Sequence, residues 1–195
     1  MGRSSVVERK TKETDIKINL ELDGTGQSNI DTGIGFFDHM LTAFSKHGFF
    51  DLDLSCKGDL EVDCHHTVED CGIALGEAIK KAAGDKAGIK RYGSFMLPMD
   101  ETLVACAVDL CGRPYFSSDI QYPQEICGDM EMDVLKEFFY GLSCSGLMNL
   151  HFKMFSGDNS HHIAEACFKA FAKSLDMALS IDPRIENVLS TKGML

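Results

Sequence analysis

Two stretches, "DCHHTVEDCG" at 63–72 and "NSHHIAEACF" at 159–168, carry the residues best suited to chemistry. Each pairs two adjacent histidines with a glutamate three residues after the second, and together they use four of the seven histidines in the chain. On a helix, successive residues point about 100° apart, while residues three or four apart share a face. Glu69 can therefore act with either His65 or His66, but those two imidazoles diverge too far to serve one metal ion easily. The same holds for His161, His162 and Glu165. Adjacent histidines of this kind suit two different metal ions. Asp63 and Asn159, which precede the pairs, could cap the free backbone N–H groups where the helices begin.

The elements that must position these groups come twice. "ETDIKINLELDG" (13–24) matches "ETLVACAVDLCG" (101–112), and "GFFDHMLTAFSKHG" (35–48) matches "DVLKEFFYGLSCSG" (133–146). "HHTVEDCGIALGEAI" then matches "HHIAEACFKAFAKSL", in the same order along the chain. Such self-similarity marks an internal duplication. Phe36, Phe37, Met40, Leu41 and Phe44 form a helical stripe, and Val134, Leu135, Phe138, Phe139 and Leu142 repeat it. Alternation in "DIKINLEL" and "LVACAVDL" predicts strands, as it does in "FFDLDLSC" and "LMNLHFKMF". The stretches 66–83 and 162–180 are apolar on most sides and predict buried helices. Each half then reads strand, loop, helix, strand, helix, with further short strands. "GIKRYGSFMLP" (88–98) reads as the join, and "DPRIENVLSTKGML" (182–195) as a tail without core periodicity. The expected organisation is one domain over 1–195, built of repeats at about 8–87 and 96–182, with a tail at 183–195. Neither repeat is expected to stand alone, because each would leave a helix face exposed.

The duplication enlarges the set of candidate ligands. His39 on the first helix aligns with Glu137 on its counterpart. His39, His65, His66, Glu69, Glu137, His161, His162 and Glu165 would supply two sites of four ligands each. Imidazole and carboxylate without thiolate suit manganese, iron or zinc. His47 and His151 read as packed or solvated, and Cys71 and Cys167 coincide in the repeat on apolar helices, where packing explains them. The formal net charge of −11 argues against a nucleic-acid partner. The N-terminal "MGRSSVVERKTKETD" has no apolar signal core, and no apolar run is long enough to span a membrane. The eight cysteines form no CxxC pair and read as reduced, mostly buried thiols of a cytoplasmic protein.

These stretches resemble the imidazoleglycerol-phosphate dehydratase family of histidine biosynthesis. "GIGFFDHML", "HGFFDL", "DCHHTVED", "RYGS", "PMDE", "DLCGRPY", "NSHHIAEACFKAFAKSL" and "STKGML" run in family order across almost the whole chain. One departure is that plant members carry histidine where Glu137 stands, so an altered ligand is expected there. The resemblance implies an α/β (α+β) fold of two similar half-domains, with helices packed between two mixed four-stranded sheets (ribosomal protein S5 domain 2-like). It also implies a homo-oligomeric shell of 24 subunits, with two Mn(2+) per active site held between subunits. The implied reaction, that of a carbon–oxygen lyase, dehydrates D-erythro-imidazole-glycerol phosphate to imidazole-acetol phosphate. Metal on both ring nitrogens would favour the imidazolate, and its electrons could expel the neighbouring hydroxyl through a diazafulvene-type intermediate. By resemblance, Glu13 binds substrate and moves protons, with Glu101 as a less involved twin, and the catalytic set also holds His65, Glu69, His161 and Glu165. Arg91, Arg113, Ser190 and Lys192 would bind the phosphate. Two other readings compete: a di-metal hydrolase of a phosphate ester, which needs a metal-bridging carboxylate and an activated water, and a non-catalytic metal-binding shell protein, which has no need of Glu13 or the basic residues.

Overall fold

The computed structural model describes residues 2–195. Its first half runs β1 (Ser4–Lys10), β2 (Thr14–Glu21), β3 (Ser28–Asp31), α1 (Gly35–Gly48), β4 (Asp51–Gly58) and α2 (His65–Ala83). The second half repeats the series as β5 (Tyr92–Met99), β6 (Thr102–Asp109), β7 (Tyr115–Ser118), α3 (Val134–Gly146), β10 (Asn149–Ser156) and α4 (Ser160–Leu179). A two-stranded hairpin, β8 (Ile126–Cys127) with β9 (Met130–Glu131), is inserted before α3. The sheet orders are β1-β2-β4-β3 and β5-β6-β10-β7. In each sheet one pair is parallel, β3 with β4 and β7 with β10, and a helix makes the crossover that parallel strands require. The α/β architecture of two mixed four-stranded sheets and four helices is the one expected from the sequence.

Alternation decides which way the strands face. Ile16, Ile18 and Leu20 of β2 and Val104, Cys106 and Val108 of β6 are buried, as are Leu52 and Leu54 of β4 and Leu150 and Phe152 of β10. The stretch 88–98 is not merely a join, because β5 occupies the same edge position in its sheet as β1 does in the other. Its alternation was illegible because Tyr92, Ser94, Phe95 and Met96 are all exposed and the inward positions include Gly93. That glycine is obligatory: a Cβ there would lie 1.8 Å from the Ser174 carbonyl oxygen on α4.

The helices pair across the halves. α2 lies on β1 and β2 and against α3, while α4 lies on β5 and β6 and against α1. α2 and α3 touch backbone to backbone, since a Cβ on Gly72 or Gly76 would come within 2.3 Å of the Phe138 or Leu142 carbonyl oxygen respectively. The Ser145 hydroxyl reinforces the contact by donating to the Ile73 carbonyl at 2.7 Å. Between the helices Phe37, Phe138, Phe139, Phe168 and Phe171 pack edge-to-face, stacked or tilted, with centroids 5.0 to 6.5 Å apart. Fully burying such a side chain contributes about 1.5–3 kcal/mol, so this cluster joins the halves strongly. Gly72→Ala should overpack the α2–α3 contact at a cost of about 1–3 kcal/mol and lower the melting temperature by about 2–12 °C. An unchanged melting temperature would show that the two helices can separate without penalty.

Candidate active site

The histidine pairs sit on the first turns of α2 and α4. The Asp63 carboxylate accepts from the His65 N–H at 2.8 Å, and the Asn159 side chain accepts from the N–H groups of His161 and His162 at 3.0 and 3.3 Å. Asn159 is thus the side-chain cap of α4 as expected, whereas at α2 the N-cap position is Cys64 without a side-chain cap, and Asp63 just before it holds only the His65 N–H. The rings of His65 and His66 are 6.1 Å apart at 79°, and those of His161 and His162 are 6.2 Å apart at 86°. Each pair diverges almost at right angles, so its members face different places.

One member of the α4 pair finds a partner from the other half. Because α1 packs on α4, His39 meets His161 and Glu165, and their ligand atoms all lie within 4.8 Å of one another. Among the described residues this is the one group of three or more metal-competent side chains so placed. Glu165 Oε2 is 3.4 Å from His161 Nε2 and 3.8 Å from His39 Nε2. Its other oxygen receives Lys169 Nζ at 2.6 Å. Burial would raise the Glu165 carboxyl, but the Lys169 ammonium together with the charges of His39 and His161 holds the group below its ordinary range. Two imidazoles and one anionic carboxylate make a fitting partial shell for a borderline divalent ion, with room for further ligands.

On α2 the corresponding His65 and Glu69 approach to 3.6 Å. Glu137 lies one helical turn before Gly141, whose Cβ position is 3.3 Å from the Glu69 carbonyl oxygen. It is thus on the side of α3 turned toward α2, yet it forms no group with His65 and Glu69 as close as that around Glu165. The remaining histidines are oriented through Nδ1. His66 Nδ1 lies 3.0 Å from Asp59, and His162 Nδ1 lies 2.9 Å from Glu101. Carboxylates of this kind fix ring orientation in metal sites. The His162 bond holds the Glu101 carboxyl down to about 2, and the hydrogen bonds to Asp59 and Glu101 raise His66 and His162 respectively. Glu13 stands 3.9 Å from His66 Nε2, with its side chain half exposed.

Arg91 anchors a second region. It has φ +69°, uncommon for a residue with a Cβ, and this turn lets its N–H donate to the Ala178 carbonyl and its carbonyl accept from Leu110. The guanidinium forks onto Asp109 at 2.7 and 3.1 Å and donates a third bond to the Leu189 carbonyl at 2.8 Å. The tail is pinned along this edge, with Gly88 N–H donating to the Asn187 carbonyl at 3.0 Å. Ser190 accepts from the Lys192 N–H at 3.2 Å, and the Gly112 turn that carries Arg113 packs on Leu195. Arg91 and the tail bearing Ser190 and Lys192 are thus joined, and the Arg113 turn abuts the end of that tail. Arg113 and Lys192 themselves are exposed.

A family model described as imidazoleglycerol-phosphate dehydratase matches residues 32–175. The chain belongs to this family. It is 62% identical over 193 residues to the imidazoleglycerol-phosphate dehydratase of Lachnoclostridium phytofermentans, covering 99% of this chain and 98% of that one. It is 56% identical to that of Acetivibrio thermocellus over the full length of both. The crystal structure of the dehydratase from Staphylococcus aureus is similar, with a TM-score of 0.81 and 35% identity, covering 91% of this chain and 100% of that one. The structure from Pyrococcus furiosus gives a TM-score of 0.83 at 36% identity, covering 97% of this chain and 100% of that one.

For a member of the imidazoleglycerol-phosphate dehydratase family, two partners went unread in the sequence. Lys169 had a signal, because it follows Glu165 by four residues on a helix. Asp59 had none, since it meets His66 only through the loop between β4 and α2. Arg91→Lys would keep the charge but could not hold Asp109 and the tail together. Residues 183–195 should then be cut roughly tenfold faster in limited proteolysis followed by mass spectrometry, the scale of one lost charged hydrogen bond. Equal rates would mean that the tail is held by other contacts.

Proposed function

We propose that the chain is a metal-dependent hydro-lyase that converts D-erythro-imidazole-glycerol phosphate to imidazole-acetol phosphate in histidine biosynthesis. The observation that carries this reading is the grouping of His39, His161 and Glu165 across the two repeats, beside histidine pairs whose rings diverge. A substrate ring whose two nitrogens also diverge suits such a cradle. His39, His161 and Glu165 would hold one ion, and His65, Glu69 and Glu137 another, giving two Mn(2+) per active site. An ion bound there would supply electrostatic stabilisation of negative charge on the imidazole ring, while the ligand side chains would orient that ring.

His66 and His162 use Nδ1 within their own chain, which leaves Nε2 for an ion held by a neighbouring copy. This supports active sites between subunits, as in the homo-24-mer that the resemblance implies. The exposed Tyr92, Met96, Tyr115 and Phe155 on the outer face of the second sheet also favour self-association. All eight cysteines are free, which suits a reducing cytoplasm. Among the described residues no helix is long and apolar enough to cross a membrane.

Glu13 serves as the acid/base. It is exposed, close to His66 and not anchored to it. Arg91, Arg113, Ser190 and Lys192 bind the phosphate, which does not react. The non-catalytic reading gives Glu13 no role.

Metal-free protein should be inactive and regain activity best with manganese, and metal analysis of the restored protein should find close to two ions per chain. Turnover without bound metal would sink the di-metal reading. Glu13→Gln should lower kcat by about a hundredfold or more with KM and metal content little changed, whereas Lys192→Ala should chiefly raise KM. The reverse pattern would exchange the two roles.

A further inference from the structure

The duplication provides a control within one chain. Glu13 and Glu101 hold equivalent places, each followed by threonine and each near the second histidine of the next HHxxE helix. In the second repeat the glutamate is committed. Glu101 Oε2 meets His162 Nδ1 at 2.9 Å, and the Thr102 hydroxyl donates to its other oxygen at 2.8 Å.

In the first repeat both of those partners are taken by aspartates. His66 Nδ1 faces the two oxygens of Asp59 at 3.0 and 3.3 Å. The Thr14 hydroxyl donates to Asp70 Oδ2 at 2.5 Å, and Arg9 Nη1 meets the same oxygen at 2.5 Å. Neither aspartate has a counterpart: Gly157 follows β10 where Asp59 follows β4, and Ala166 matches Asp70. The two aspartate side chains are 19% and 11% exposed, against 52% for Glu13. Shielded carboxylates form the stronger hydrogen bonds, so they win His66 and Thr14 from Glu13.

We infer that Asp59 and Asp70 are positioning residues which, by occupying His66 and Thr14, keep the Glu13 carboxylate unattached and able to reach a substrate proton. Glu101, without such competitors, is committed to orienting His162. This rests on the reading of Glu13 as the acid/base. It accounts for two equivalent glutamates having unequal roles on one backbone plan. A carboxylate bound on both oxygens must break hydrogen bonds before it can move to substrate, and a displacement of about 1 Å at a reacting group can cost a hundredfold.

The test uses full-length protein at saturating manganese, with Asp59→Ala alone and combined with Glu13→Gln. Asp59 is the better target, because removing Asp70 would strand Arg9 and could prevent folding. In Asp59→Ala, the flexible Glu13 side chain should swing to the freed His66 ring, so a crystal structure of the metal-free variant should show a direct hydrogen bond in place of the 3.9 Å gap. At saturating manganese kcat should fall about tenfold to a hundredfold with KM little changed, and Asp59→Asn, which retains an acceptor for His66, should recover most of the loss. In the Glu13→Gln background Asp59→Ala should cost almost nothing further, since both act through one group. Equal losses in the two backgrounds, or a Glu13 that stays apart from His66 in the variant, would overturn the inference. Full activity of Glu13→Gln alone would overturn the acid/base reading itself, and the inference with it.

Discussion

The close approach of helices from opposite halves is the constraint on which the site depends. His39 comes from the first repeat and its partners His161 and Glu165 from the second, so the group exists only because α1 lies on α4. The α2–α3 contact is the other half of the same arrangement, and it needs Gly72 and Gly76 to bring backbone against backbone. The apolar helix faces left open by each half are buried by the other. Folding of the core and assembly of the ligand group are therefore one event, and a lone repeat would have neither a closed core nor a complete cluster.

On this shared backbone the two repeats have diverged in charge. Glu165 is neutralised by Lys169, four residues along α4, whereas the corresponding pair on α2 is Glu69 and Ile73. His39 is matched by Glu137. On the proposed reading one set offers two imidazoles and a carboxylate bridged to an ammonium, and the other would offer one imidazole and two carboxylates without it. The same plan has produced two environments of different anionic character, as it has produced one anchored glutamate and one free one.

The features legible in the sequence were those with a period or a repeat. The helical stripes over 36–44 and 134–142, the alternation of β2 and β6, and the divergence of each histidine pair follow from geometry that any helix or strand must obey. The cap at Asn159 was readable because capping acts over two or three residues, as was the reach of Asp63 to the His65 N–H. Illegible were contacts made by chain returning from elsewhere. β5 pairs along an edge with most of its residues exposed, so its pattern showed no buried face. Asp59 reaches His66 only through the shape of the loop between β4 and α2, and Asp70 reaches Thr14 through tertiary packing. That α1 would meet α4 rather than α2 was also beyond any local pattern, although the matched apolar stripes required some partner.

The acidic chain must still attract a phosphate ester on the proposed reading, and its cations are placed unequally for that task. Arg91 is the best held, yet its fork on Asp109 cancels much of its charge at a distance. Arg113 and Lys192 are exposed, and among the described residues neither forms an ion pair, so their fields extend into solvent to about the Debye length of 8–10 Å. Attraction over that range would fall to the two exposed cations. Direction would fall to Arg91, whose guanidinium is already oriented by Asp109 and the Leu189 carbonyl before any ligand arrives. A flexible cation costs entropy when it is immobilised and a paired one gives up little, so the division joins long reach to a prepaid geometry. The net charge of −11 is then no obstacle, because a ligand at the end of the tail feels these nearby groups more than the distant acidic surface.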